Sequence, residues 1–235
     1  MKSVIAHPRL GEVTVSQTRR ATRISISVRP PGAVRLSLPC SVPLAEAIRF
    51  LDERAEWVER TRMRLAEKYP ADPVGMPFRT RWHELSLFPG EAEKITVRVT
   101  ADRVCVAYPA DLRWESDPVQ KAVRTGIEEA WRAEAKAILP ERTRQLAERY
   151  GLKYRSVSVR NTVSKWGSCS SRNDLSLSIH LMRLPDYLVD YIITHELCHT
   201  VHHNHGPRFH ALLDRLTGGR HAELRREMRR QQTRW

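Results

Sequence analysis

The chain has 235 residues, 41% of them hydrophobic, with 40 Lys and Arg against 27 Asp and Glu and a formal charge of +13. That length supports one large core or two small ones packed together. No stretch reaches the ~18 apolar residues of a spanning helix, so no membrane span is expected and the chain reads as cytoplasmic.

Cys40, Cys105, Cys169 and Cys198 stand far apart with no C-x-x-C pair, a spacing that suggests neither a disulfide framework nor a cysteine-rich zinc site, so reduced thiols are expected. The positive charge suits a nucleic-acid partner and equally suits a solvated basic surface. Its densest stretch begins at Arg208, after which only Asp214, Glu223 and Glu227 are acidic.

Residues 1 to about 40 alternate apolar and polar positions, as in Ile24, Ile26, Val28 and then Val34, Leu36, Leu38 on either side of Pro30-Pro31-Gly32. This pattern predicts a hairpin within a small antiparallel sheet. After Pro43, Leu44, Ala47, Ile48, Leu51, Ala55, Trp57 and Val58 recur at helical spacing, predicting a helix that covers the sheet and ends at Tyr69-Pro70. Alternation returns over 78–108, with strands at 95–99 and 104–106 flanking a turn.

From Asp117 the stripe Val119, Val123, Ile127, Trp131, Ile138, Leu146 and Tyr150 is helical and ends at Gly151, and Pro140 inside it fits one kinked helix or two successive ones. A short strand around Val157 and Val159 follows, then a turn-rich segment, Trp166 to Ser171. Next comes an alternating strand with Leu175, Leu177, Ile179 and Leu181 on one face and Ser176, Ser178 and His180 on the other. Pro185 opens a further helix. The fold class is therefore α+β: a β-rich N-terminal half with a covering helix over 1–112, then a catalytic half over 113–235 with an antiparallel edge strand and an active-site helix.

That helix carries His-Glu-Leu-Cys-His at 195–199. Two histidines four residues apart lie one turn apart on one helix face, where both imidazoles reach one ion. Glu196 points to a neighbouring face, close to the metal without binding it, where a general base can take a proton from metal-bound water. An H-E-x-x-H is expected by chance only about 0.03 times in a chain of this composition. The histidines continue the apolar stripe of Leu188, Tyr191 and Ile192, which predicts a metal in the interior. His83-Glu84 has no second His at helical spacing and reads as ordinary surface.

A catalytic zinc needs a third protein ligand and an open fourth position. A continuing helix would carry His203 about 12 Å along the axis from His195, too far for one ion. Asn204 tolerates the left-handed conformation that ends helices, and Gly206-Pro207 then returns the chain, which favours His205. Glu223 is the competing ligand. His202 and His203 fall near the site, and His210 reads as a surface or supporting residue off the stripe of Phe209, Leu212, Leu213 and Leu216, which closes at Gly218-Gly219. Candidates for stabilising an oxyanion are His180, Tyr187 and His221. The segment Trp166, Gly167, Ser168 either lines a substrate cleft beside the edge strand or makes a tight turn with Trp166 plugging the core. Cys169 is not expected to act as a nucleophile beside a metal site.

Lys165-Trp166-Gly167-Ser168-Cys169-Ser170, the alternating strand, Leu184-Pro185, Tyr191, the HELCH run, Asn204-His205 and Phe209 together resemble the YgjP-type zinc metallopeptidase family, related to the SprT-like and minigluzincin peptidases. The N-terminal hairpin and the helix with Trp57 extend the likeness over most of the chain. The resemblance implies one zinc, a zincin-like catalytic half, a peptidase site acting on proteins or peptides, and His205 as third ligand. Two departures, His180 and His210 where members often carry Trp or Arg and Trp, concern the groove and not the metal. SprT-like peptidases act on DNA-bound proteins, which gives the positive charge a purpose.

Two other functions compete: a basic nucleic-acid-binding protein whose zinc is structural or whose site is degenerate, and a zinc hydrolase of a non-peptide bond. A structural zinc would have four protein ligands, so a free Glu196 beside an open position favours catalysis. The H-x-E with P-C-x-x-C pattern of zinc deaminases is absent.

Overall fold

The structure, a computed structural model, describes residues 2–29, 32–68 and 72–231, without the side chains of Lys2 and residues 66–68. It divides into two compact units, Met1–Asp72 and Pro73–Arg234. Among the described residues it is a mixed α+β protein with six α-helices and three mixed sheets.

In the first unit, β1 (Lys2–His7), β2 (Gly11–Thr18), β3 (Ser25–Arg29) and β4 (Ala33–Pro39) form one sheet in the order β1-β2-β4-β3. The expected hairpin is β3 against β4, antiparallel, with Pro30-Pro31 outside the described residues. The sheet is not wholly antiparallel, because β4 inserts beside β2 and runs parallel to it. The alternation buries Val13, Val15, Val34, Leu36 and Leu38 on one face, in one core with Ala47 and Leu51 of α1 (Leu44–Glu53) and Ala55 and Val58 of α2 (Ala55–Lys68). The predicted single helix breaks at Arg54, whose N–H bonds to Leu51 O, and its end at Tyr69-Pro70 lies outside the described residues. Leu44 and Trp57 leave the stripe and stand 40% and 44% exposed.

The second unit begins with β5 (Glu84–Pro89), β6 (Thr96–Val99) and β7 (Arg103–Tyr108), ordered β5-β7-β6, which pack on α3 (Asp117–Tyr150). These strands therefore belong with the C-terminal elements, whereas a boundary at 112/113 would divide them from α3. Gly126 explains the close fit: a Cβ there would lie 2.5 Å from Val104 Cγ1 and 2.9 Å from Val97 Cγ1. α3 runs unbroken through Pro140 and stops at Gly151, which takes the left-handed conformation at φ 64° that glycine adopts without a Cβ penalty.

The third sheet has β8 (Ser156–Arg160), β9 (Gly167–Cys169) and β10 (Asp174–Ser178) in the order β8-β10-β9. The alternating run is thus the central strand, parallel to β8, and the antiparallel edge is β9. The strand also ends earlier than its alternation: Ile179–Arg183 is a 3-10 turn started by Ser178, whose hydroxyl accepts from His180 N–H. That turn buries His180 with Ile179 and Leu181 instead of leaving it on a polar face. Helices α4 (Asp186–Cys198), α5 (Pro207–Leu216) and α6 (His221–Arg230) follow. Arg81 braces the start of α4, donating to Asp186 Oδ1 at 2.5 Å, Leu184 O at 2.7 Å and Met182 O at 3.3 Å. No helix among the described residues is long and apolar enough to cross a membrane, and the four cysteines are free thiols.

Candidate metal centre

α4 ends at Cys198, with His199 as its cap. Thr200 N–H returns to Leu197 O, and Val201 and His202 N–H both return to Cys198 O, tightening the last turn. Gly206 N–H then reaches Asn204 O at 2.8 Å and α5 begins. Asn204 does not take the expected left-handed conformation: Asn173 is the only described non-glycine residue at positive φ. Short-range hydrogen bonds turn the chain instead, and they bring His205 back onto the helix face.

His205 Nε2 lies 3.1 Å from the Nε2 atoms of both His195 and His199. Tetrahedral zinc with bonds near 2.0–2.1 Å separates its nitrogen donors by about 3.3 Å, so this triad has the spacing of a tridentate site. The donor chemistry also fits. His199 Nδ1 stands 3.1 Å from His202 O, which only accepts, so Nδ1 carries the proton and the lone pair is on Nε2, facing the other rings. Burial, reinforced by the neighbouring imidazoles, holds the His195 pKa down to about 3, keeping its ring neutral as a ligand must be. His199 is shifted down for the same first cause.

The triad is not interior. His199 is buried, His195 partly so, and His205 is exposed, because the third histidine comes from a surface loop. Its floor is Phe209, fully buried, with ring centroids 4.9 Å from His195, 4.5 Å and stacked on His199, and 4.8 Å from His205. The spacing of α5 had assigned Phe209 to the core alone. Its place four residues after His205, on the first turn of α5, is the signal that ties it to the loop.

Glu196 is buried beside the triad helix's neighbour β9 and is not among the grouped ligands. Burial pushes its pKa up to about 7, opposed by Lys165. A Cβ built on Gly167 would sit 2.7 Å from Glu196 Cγ and Oε1, so the glycine makes room for this carboxylate. Trp166 is half-buried, less than a core plug, and its carbonyl accepts from Ser178 N–H at 2.9 Å. The remainder of the segment is a turn: Asn173, at φ 62°, donates its N–H to Ser170 O, and Ser170 N–H returns to Asp174 O, both at 2.9 Å. Arg155 grips the Asp174 carboxylate with two bonds of 2.6 and 2.5 Å, and this with Ser156 holds its pKa down to about 2. The Cys169 thiol is pushed up to about 11, first by burial and then by Glu196 and Asp174, so it stays protonated.

The remaining candidates separate clearly. Glu223 is exposed and bound twice to Arg220 at 3.0 Å, outside the triad. His221 Nδ1 lies 3.2 Å from Tyr191 OH and its Nε2 3.2 Å from His210 Nδ1, while the Tyr191 ring stands 6.4 Å from that of His195. Those two histidines thus form a row beside the triad. Tyr187 is exposed and donates to Glu227. His180 Nε2 meets Asn161 Oδ1 at 3.0 Å and its ring packs edge-on to Trp131. His202 and His203 line a surface recess with Asn204 and Pro207. His83 is not surface: it is 4% exposed, with Nδ1 2.9 Å from the buried Glu134 carboxylate, which also accepts from Trp82 N–H and Thr80 hydroxyl. Glu134 sits on α3, fifty-one residues away in sequence, so spacing gave no sign of the pair.

The family model described as YgjP-like, metallopeptidase domain, matches residues 22–231. The chain belongs to the YgjP-like metallopeptidase family. The match runs through both compact units and includes the triad, Glu196 and Gly167. Among curated proteins nothing matches the chain. Among solved structures it is similar to the metallopeptidase zymogen of Methanocaldococcus jannaschii jannalysin, at 20% identity, over 38% of this chain and 92% of that chain, with a TM-score of 0.35. For a YgjP-like metallopeptidase, a half-open cluster of three imidazoles is a fitting metal centre.

Proposed function

We propose that the protein is a zinc peptidase of zincin-like arrangement, hydrolysing peptide bonds with His195, His199 and His205 as metal ligands and Glu196 as general base. The observation that carries this is the pairing of three converging Nε2 atoms with a buried carboxylate that is not one of them. Bound there, zinc would polarise a carbonyl and lower the pKa of a water towards ~7. A structural zinc would call for a fourth protein donor, and the described residues place none with the triad.

Glu196 then has the remaining work. Its raised pKa, near neutrality, suits a group that takes a proton from the attacking water and hands it to the departing amine nitrogen. The half-exposed side of the triad admits substrate, and β9, paired on one side only with β10, can receive an extended peptide along Gly167 and Ser168. His221, anchored by Tyr191, is the better placed of the oxyanion candidates, since Tyr191 also contacts the His195 ring. The test is hydrolysis of an unfolded protein by the zinc-loaded chain and by Glu196→Gln, with metal content measured in both. Activity in the parent alone, with zinc in both, is the expected result.

A further inference from the structure

A cavity of about 570 Å³ lies along the flank of α4, walled by the ends of α3 and α5 and by α6. That is the size of a site for a small ligand or a large side chain. Arg149, in the last turn of α3, and Arg215, in the last turn of α5, reach it from two different helices. Among the described residues neither makes an ion pair, whereas neighbouring arginines do: Arg142 holds Asp190, Arg144 holds Glu141 and Glu148, and Arg220 holds Glu223. Asp190 is the acidic residue in the cavity wall, and Arg142 neutralises it through bonds of 2.6 and 2.5 Å. The lining itself thus carries two arginines against one paired carboxylate, with Glu227 held outside it on the Tyr187 hydroxyl.

Tyr150, Tyr187 and Tyr191 supply the walls. The hydroxyls of the last two are engaged by Glu227 and His221, so they contribute mainly ring surface. Two guanidinium groups outside ion pairs, that of Arg149 standing 5.7 Å over the Tyr150 ring, match a carboxylate on a short carbon stem, because guanidinium binds carboxylate in a planar two-point fork. The cavity adjoins the metal centre: Thr194, next to His195, and Tyr191, 6.4 Å from the His195 ring, both line it. The formal charge of +13 draws acidic chains towards such a site.

We propose that this cavity is a specificity site that receives a peptide carboxylate between Arg149 and Arg215, so that the substrates are acidic peptides. The identification of the ligand as a peptide rests on the peptidase function proposed above. The carboxylate can come from an Asp or Glu side chain or from a peptide C-terminus.

Both sources are tested with rhodamine-labelled octapeptides carrying a single Glu or Gln at successive positions, each as free acid and as amide. Binding is read by fluorescence anisotropy on zinc-loaded Glu196→Gln protein, so no turnover intervenes. The expected result is at least ~10-fold tighter binding of Glu over Gln at one position, or of acid over amide, equivalent to one charge-assisted contact. Which of the two appears identifies the source. The preference should vanish in Arg149→Gln with Arg215→Gln, and each single variant should reduce it, without change in melting temperature. Arg215→Glu should turn the preference towards a Lys peptide. No difference between charged and neutral peptides, no binding by any of them, or a preference that survives both substitutions overturns the proposal. Hydrolysis separates the two claims: cleavage of Gln peptides by the parent chain without any acidic preference leaves the peptidase standing and this cavity without a role. Selective binding without cleavage does the reverse.

Discussion

Gly167 and Glu196 are packed against each other across β9 and α4, so closely that a Cβ on the glycine would lie 2.7 Å from Cγ and Oε1 of the carboxylate and 2.9 Å from Cδ. The backbone of the edge strand is thereby the wall of the Glu196 carboxylate, the general base proposed above. Gly167→Ala should displace or trap Glu196, since its surroundings are buried and cannot yield freely, at an overpacking cost of about 1–3 kcal/mol. We expect a folded protein with full metal content and hydrolysis reduced by roughly 10-fold or more, the scale of a misplaced catalytic group. Unchanged activity would mean that the carboxylate does not work from this position.

Glu196→Gln keeps size and burial and removes basicity. Hydrolysis should fall by at least ~100-fold while zinc stays bound. A variant as active as its parent would remove Glu196 from the mechanism.

Metal analysis distinguishes the two third-ligand candidates. His205→Ala removes one corner of the triad and should strip most of the zinc after dialysis, whereas Glu223→Ala breaks only an exposed pair with Arg220 and should keep it. Because metal binds only the folded chain, chelation should also lower the melting temperature of the parent and leave that of His205→Ala nearly unchanged.

Phe209→Ala should be the most destabilising change near the site. The ring is fully buried beneath three imidazoles, and its loss costs about 3–5 kcal/mol through transfer and cavity terms. Zinc affinity should fall with it, as the floor that orients the ligands is gone. Denaturant unfolding with and without zinc measures both effects, and a loss below about 1 kcal/mol would contradict the packing described.

His180 gives the fold a dependence on pH that is separate from the metal. Burial, with Arg183 adding to it, lowers its pKa from the ordinary 6.5 to about 4. The unfolded chain therefore takes a proton at this position below pH 6.5 while the folded chain resists it, so stability is full above 6.5 and is lost as pH falls towards 4. Between pH 7 and 5 the metal-free parent should lose about 2 kcal/mol that His180→Gln does not lose. Equal losses in the two proteins would show that the ring is not held neutral.

The grouping of His195, His199 and His205 could be read from local spacing. His195, Glu196 and His199 fall on defined helix faces whatever the rest of the chain does, and Gly206-Pro207 after His205 signals a return that favours this histidine over Glu223. Period and turn chemistry are properties of a few consecutive residues, so they survive without knowledge of tertiary contacts. For the same reason the helix from Asp117 to Gly151 and the strand pair around the turn near Asp102 were visible. Relationships between distant segments were not. The parallel pairing of β2 with β4, the placement of the 84–108 sheet on α3 through Gly126, and the end of β10 at Ser178 depend on which surfaces meet. Burial of His83 on Glu134, fifty-one residues apart, depends on the same thing. So does the tertiary position of Gly167, which as a sequence element signalled a tight turn or a cleft lining and gave no sign of Glu196. Its lack of a side chain acquires a purpose when α4 brings Glu196 against it, because a steric limit of 2.7 Å exists between two segments and in neither of them alone.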